Sequence, residues 1–266
     1  MLGKLLKHEL RATARFMWVV FAAMAGMSVF ARLSFSFYDE SGNTAVNMLL
    51  SGLLILWIIS LIAGALGTLV LLVKRFHQNL LTDEGYLMFT LPANVHQLVW
   101  SKLIAAVIWL IAMAAVELLC LMIALVHNEI ISDFYAFIRE IMDQMTAYYA
   151  VNFTVIALEL LGIAILSCAD LCLRFYSAMS IGYGFASHKV LLSVVFYFVQ
   201  YAARQTLGSI ILAVLVAGGL LGGLEGFSAM GGFHAVMGFA LTLELIQSAA
   251  FYILTTLNLK KRLNLG

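Results

Sequence analysis

Apolar positions in this chain are gathered into six long stretches, about 16–34, 45–73, 103–126, 149–173, 190–217 and 235–257, separated by shorter polar segments. A hydrocarbon core of about 30 Å takes roughly 20 residues of helix to cross, because each residue rises 1.5 Å and every backbone group must be satisfied within the segment. All six stretches meet that length. The pattern predicts an all-α, polytopic membrane protein with six transmembrane helices in one transmembrane domain covering 1–266. The second and fifth stretches exceed the minimum, which predicts tilt or extension past the hydrocarbon boundary.

Three segments outside the spans have patterns of their own. In residues 2–15, Lys4, Lys7, Arg11 and Arg15 recur at spacings of 3 and 4, while Leu2, Leu5, Leu6 and Leu10 occupy another face. This suits a helix lying on the inner leaflet, or a basic flank that only sets topology. Between the third and fourth spans, Ile130, Phe134, Phe137, Ile138, Ile141 and Met145 stand at helical spacing, which predicts an outer amphipathic helix over about 130–145. After the fifth span, glycines 218, 219, 222, 223, 226, 231 and 232 crowd a segment that is apolar yet hard to hold as one helix.

Composition agrees with the pattern. Of 266 residues 64% are hydrophobic and 11% charged, with a mean hydropathy of +1.02, far from the roughly 25% charge of soluble domains. One proline and three cysteines exclude linker-rich and disulfide-framework classes. Net charge is +1, and the placement of the charges says more than their sum. Twelve of the 15 basic residues fall before the first span, in the loops 74–102 and 174–189, or in the tail, all on one side of a six-span topology. The positive-inside rule then predicts cytoplasmic N- and C-termini in a plasma membrane. The long basic start carries Glu9 and lacks a small-x-small cleavage site, so we expect a retained first helix.

Chemical signatures are missing where an enzyme would need them. The Gly3-Lys4 pair is followed by Leu5 and cannot form a phosphate-binding loop, His8-Glu9 lacks a second histidine at Ala12, and Gly226-Phe227-Ser228-Ala229-Met230 lacks the closing glycine of a nucleophile elbow. Cys168 and Cys172, with Asp170 between them, offer two thiols at i, i+4, which reads as packed core cysteines before it reads as a metal site. No catalytic residue, metal site or nucleic-acid interface is expected.

The longest inner loop, 74–102, holds the only proline, Pro92, and too many apolar side chains for a solvated linker. It predicts a short amphipathic element at the inner interface, closed by Pro92, with Asn94 placed to cap the following helix. The run Asp83-Glu84-Gly85-Tyr86-Leu87-Met88-Phe89-Thr90-Leu91-Pro92, with His96-Gln97-Leu98 and Ser101-Lys102, resembles the loop after the second span in bacterial ABC transporter permeases of the type-2 exporter class. The basic start Lys4-Leu5-Leu6-Lys7-His8-Glu9-Leu10, the six spans and the basic tail are similar in layout. The resemblance implies a permease without a nucleotide site of its own, working as a homo- or heterodimer with a second permease subunit. It also implies a separate ABC ATPase subunit that carries ATP and Mg and docks on this loop through Thr82, Asp83, Glu84, Gly85, Tyr86, Leu87, Phe89 and Pro92. It further implies a re-entrant hairpin over about 218–234, and it leaves the exported substrate open.

Four of the charged residues within the spans stand far from both span edges. Counted from the inner span edges, Glu117, Glu159, Arg204 and Glu244 all stand about 20 Å deep, which predicts one polar layer in which Arg204 pairs with Glu159 or Glu244. Such groups cost about 2.5–3.5 kcal/mol each on insertion and so face the bundle interior or water. They act as interhelical glue or as part of a gate. If the layer itself carried coupling ions, the chain would be an ATP-independent secondary transporter or channel. Asp170, four residues before Arg174, predicts a local helical ion pair.

Overall fold

The computed structural model describes residues 2–37, 43–82, 84–85, 94–125, 128–149, 152–185, 187–217 and 229–261. Among them the chain is all-helical, without strands. Seven helices follow one another: α1 (Leu2–Phe37), α2 (Thr44–Leu81), α3 (Val95–Leu125), α4 (Asn128–Tyr149), α5 (Phe153–Gly182), α6 (Lys189–Ala217) and α7 (Ala229–Lys261). All but α4 are long and apolar enough to span a membrane. Four of them contain their whole apolar stretch, α3 stops one residue short of the end of 103–126, and α5 begins at Phe153, four residues into 149–173; each runs beyond its stretch at one end or both. Side chains large and apolar are exposed along α1, α2, α3, α5, α6 and α7, as expected where the surrounding solvent is hydrocarbon.

The helix ends differ from the hydropathy edges because packing, not apolarity, holds the extra turns. α2 continues through Lys74, Arg75, Phe76, His77 and Gln78 to Leu81, and Phe76, Leu80 and Leu81 are buried there. α5 continues past Leu173 to Gly182, with Tyr176, Ser177, Ala178, Met179 and Ser180 buried. Residues 2–15 form no separate interfacial element. They are the first turns of the 36-residue α1, whose packed stripe begins at Glu9 and Thr13 and continues through Met17, Phe21, Met24, Ser28, Ala31 and Ser34. The four basic side chains lie exposed on the opposite face.

The chain divides into two compact units. One comprises Gly3–Leu72 and Ile108–Met142. Here Trp57 Nε1 donates to Ser28 Oγ at 3.0 Å, Ser28 in turn donates to Met24 O at 2.9 Å, and Ala31, Trp57 and Ala124 form a buried cluster. Gly64 lies where Met24 and Met113 converge, so that a Cβ there would stand 2.8 Å from Met113 Cε. α4 is amphipathic, and its side chains from 132 to 144 are exposed on both faces, including Phe134 and Phe137.

The other unit comprises Met1–Leu2, Val73–Val107 and Asp143–Gly266. Its centre is α5, which packs against both α6 and α7. Contacts at Asp170–Arg204, Ser177–Gln200 and Gly182–Ser193 descend one helix as they ascend the other, so α5 and α6 are antiparallel. Glu159–His234, Gly162–Leu241 and Ser167–Glu244 advance together, so α5 and α7 are parallel. The α5–α6 connection is short, and His188 takes a left-handed φ of 54° just before α6, where its carbonyl accepts from Leu192 N at 2.9 Å. A Cβ on Gly182 would stand 2.6 Å from Ser193 N and 2.8 Å from Lys189 O, so the helices meet there backbone to backbone.

Candidate functional site

Ionic and polar side chains collect on one face of α5. Ser167, Asp170, Arg174 and Ser177 are spaced three or four apart and so line one stripe. Asp170 is fully buried. Its Oδ2 meets Arg204 Nη1 of α6 at 2.9 Å and Arg174 Nε of α5 at 3.0 Å. Arg204 Nη2 reaches Glu244 Oε2 of α7 at 2.8 Å, and Glu244 Oε1 accepts from Ser167 Oγ at 3.0 Å. Two cations and two carboxylates from three helices thus form one charge-balanced network.

Depth explains the membership. Since α5 ends at Gly182 rather than near 173, Asp170 stands about 18 Å from that end, close to the level of Arg204, which is about 22 Å from the start of α6. Glu159 lies a further three turns along α5 and is held instead by His234 Nδ1 at 2.8 and 2.9 Å from its two oxygens. Glu117 belongs to the other unit, is half-buried, and has no hydrogen-bond or ion-pair partner among the described residues. Of the four residues expected in one layer, the structure joins Arg204 and Glu244. It adds Asp170, whose long-range pair with Arg204 the i, i+4 spacing to Arg174 masked, and with it Arg174 as the expected local partner. The stripe of Ser167, Asp170, Arg174 and Ser177 is the sequence signal that would have found it.

Three ties anchor the other ends of the helices. Phe76 stacks on Tyr176 with ring centroids 3.8 Å apart, and the adjacent His77 Nε2 is hydrogen-bonded to Tyr183 Oη. Burial raises the Tyr183 phenol above its ordinary pKa, which keeps it protonated as a hydrogen-bonding group. At the start of α3, Lys260 Nζ lies 3.0 Å from His96 Nε2 and Tyr252 Oη 2.6 Å from His96 Nδ1. An ammonium can only donate, so Nε2 accepts and Nδ1 carries the ring proton toward Tyr252.

Of the loop residues, Thr82, Glu84 and Gly85 are described, while Asp83, Tyr86, Leu87, Phe89 and Pro92 lie outside the described residues. Thr82 Oγ1 donates to Gln78 O, capping the end of α2, and Gly85 N donates to Thr82 O at 2.7 Å. Glu84 is exposed and Gly85 buried. Asn94 precedes α3, and its carbonyl accepts from Gln97 N at 2.8 Å and Leu98 N at 3.2 Å. The glycine-rich stretch expected to form a hairpin lies outside the described residues over 218–228, and from Ala229 onward the chain is already α7. The cysteines 120, 168 and 172 are free thiols, and no group of three or more metal-ligating side chains occurs among the described residues.

No family model, curated protein or solved structure matches this chain.

Proposed function

We propose that this six-helix membrane protein is the permease subunit of an ABC exporter in the plasma membrane of a bacterium. It moves a substrate out of the cytoplasm as a dimer, using ATP hydrolysed on a separate ATPase subunit. The observation that carries the reading is the loop beginning at Thr82. α2 runs unbroken from the apolar core to that loop, and two adjacent residues near its end, Phe76 and His77, are clamped to Tyr176 and Tyr183 at the end of α5. A push delivered at Thr82 is therefore passed to α2 and, through those clamps, to α5. Rigid helices that move as bodies are what such transmission requires. With no phosphate-binding loop in the chain, the energy source is a partner, and no residue here is catalytic.

Charge balance in the Arg174–Asp170–Arg204–Glu244 network favours a role in holding spans together over one in carrying coupling ions. That weighs against the secondary-transporter reading. The test is co-purification from membranes with the candidate ATPase, repeated with Gly85→Arg and Tyr86→Ala. Loss of the ATPase from either variant supports docking on the loop. Transport that persists in vesicles containing no ATPase overturns the reading.

A further inference from the structure

The start of α3 and the end of α7 meet through exposed polar side chains. His96 is the second residue of α3, and Lys260 is the last residue but one of α7, so both stand at the edge of membrane-spanning helices. Their contacts run in one direction: Lys260 Nζ donates to His96 Nε2 at 3.0 Å, and His96 Nδ1 donates to Tyr252 Oη at 2.6 Å. Two ammonium protons and the phenol proton remain to be given outward, on a cluster with a net positive charge. Trp100, one turn after His96, packs on Tyr252 with ring centroids 5.6 Å apart. Tryptophan and tyrosine beside a lysine at a helix end are what the headgroup level of a bilayer favours.

Charge complementarity selects the occupant. Neither residues 95–116 of α3 nor residues 245–261 of α7 include an aspartate or glutamate, and Lys260 pairs with no carboxylate among the described residues. A phosphate diester carries negative charge on oxygens that only accept, which matches a cation with outward donors. A choline or ethanolamine headgroup would add an ammonium that no acidic side chain of these segments receives, so a lipid of net negative charge fits better. Leu257, Ile253 and Ile246 follow back from Lys260 at spacings of 3, 4 and 7; they share its face of α7, and all three are exposed. The stripe runs about 21 Å from Lys260, enough to line the roughly 15 Å that one leaflet's chains occupy. A soluble phosphate would use the donors and leave this stripe unused, which favours the lipid.

We propose that Lys260 and Tyr252, positioned by His96, bind the phosphate of an anionic phospholipid whose acyl chain lies along Leu257, Ile253 and Ile246. The lipid sits in the leaflet where α3 begins and α7 ends. The site does not depend on what the chain transports.

The experiment is native mass spectrometry of the purified chain in a non-ionic detergent, titrated with phosphatidylglycerol or with phosphatidylcholine of the same acyl chains. The parent should bind phosphatidylglycerol the more tightly. Lys260→Gln should lower that affinity about tenfold and Tyr252→Phe about fivefold, both leaving phosphatidylcholine binding unchanged, while Lys260→Arg retains the preference. Lys4→Gln removes an equally exposed positive charge from α1 and should leave both affinities as they were. Equal affinity of the parent for the two lipids overturns the site, and so does a loss in Lys4→Gln as large as in Lys260→Gln, since either reduces the effect to diffuse attraction. Inorganic phosphate is the third titrant: displacement of phosphatidylglycerol at millimolar phosphate means that the donors serve a soluble anion, and it overturns the lipid assignment. Should Lys260→Gln not yield folded protein, Tyr252→Phe carries the comparison, and an unchanged phosphatidylglycerol affinity there overturns the site.

Discussion

Arg204 on α6 binds Asp170 on α5 at 2.9 Å, across 34 residues of sequence, and this contact decides how the membrane-spanning charges are shared. With its second nitrogen on Glu244, Arg204 joins three helices. Removing it leaves Glu244 with Ser167 alone among the described residues, while Asp170 keeps Arg174.

The singles and the double at this network should therefore differ in sign of coupling. Arg204→Gln leaves one uncompensated carboxylate, and Glu244→Gln leaves two arginines on one carboxylate. The pair Arg204→Gln/Glu244→Gln restores balance, because Asp170 and Arg174 remain together. We expect the double variant to be more stable than the sum of the singles by roughly 1–3 kcal/mol, read from melting temperatures of the purified variants. Simple additivity would mean that the network contributes nothing as a unit.

Gly182 should tolerate no side chain. Its Cβ would press on Ser193 N and Lys189 O, which are backbone atoms and cannot swing aside. Gly182→Ala is expected to cost about 1–3 kcal/mol or more, and Ser193→Ala should not rescue it. Gly162→Ala, whose Cβ would sit 3.5 Å from Leu241 Cδ2, serves as the control and should melt close to the parent.

The tie between α2 and α5 has its own signature. Tyr183→Phe and His77→Phe each remove one partner of the same hydrogen bond. Each should cost about 1 kcal/mol, and the double variant little more than either alone. In the exporter reading, Tyr183→Phe should also loosen the coupling of ATP hydrolysis to transport while leaving ATPase binding intact. The ratio of ATP hydrolysed to substrate moved measures this.

Orientation should follow the exposed basic stripe of α1. Replacing Lys4, Lys7, Arg11 and Arg15 by glutamine should raise the fraction of chains with an externally accessible N-terminal tag, measured by protease digestion of intact cells. A change confined to Arg32, exposed near the other end of α1, should not.

Hydropathy located six spans because a 20-residue apolar run has few other uses, and the bulk of each run falls in one long helix. It could not place their ends. Lys74–Gln78 and Arg174–Ser180 look like loop by composition, yet they are helical because Phe76 and Tyr176, each 1% exposed, stack across α2 and α5. That error propagated to the charges: a short α5 puts Asp170 at its edge beside Arg174, whereas the full helix puts it at the depth of Arg204. His234 escaped notice for a different reason. It precedes the last apolar stretch and reads as a flank until α7 is seen to begin at Ala229. The loop from Thr82 is readable only as sequence beyond Gly85.

The order of these residues along the chain has a consequence for synthesis. Asp170 leaves the ribosome 34 residues before Arg204, and Glu244 follows after another 40. At about 5–20 residues per second, α5 waits roughly 2–7 s for its guanidinium partner. During that interval the nearest cation along the chain is Arg174, a single turn away. A nascent chain arrested before residue 204 should integrate α5 with Arg174 present and fail to do so with Arg174→Gln. The local pair is then a temporary counterion, carried by the helix itself so that a buried carboxylate can enter the lipid ahead of the arginine that finally holds it.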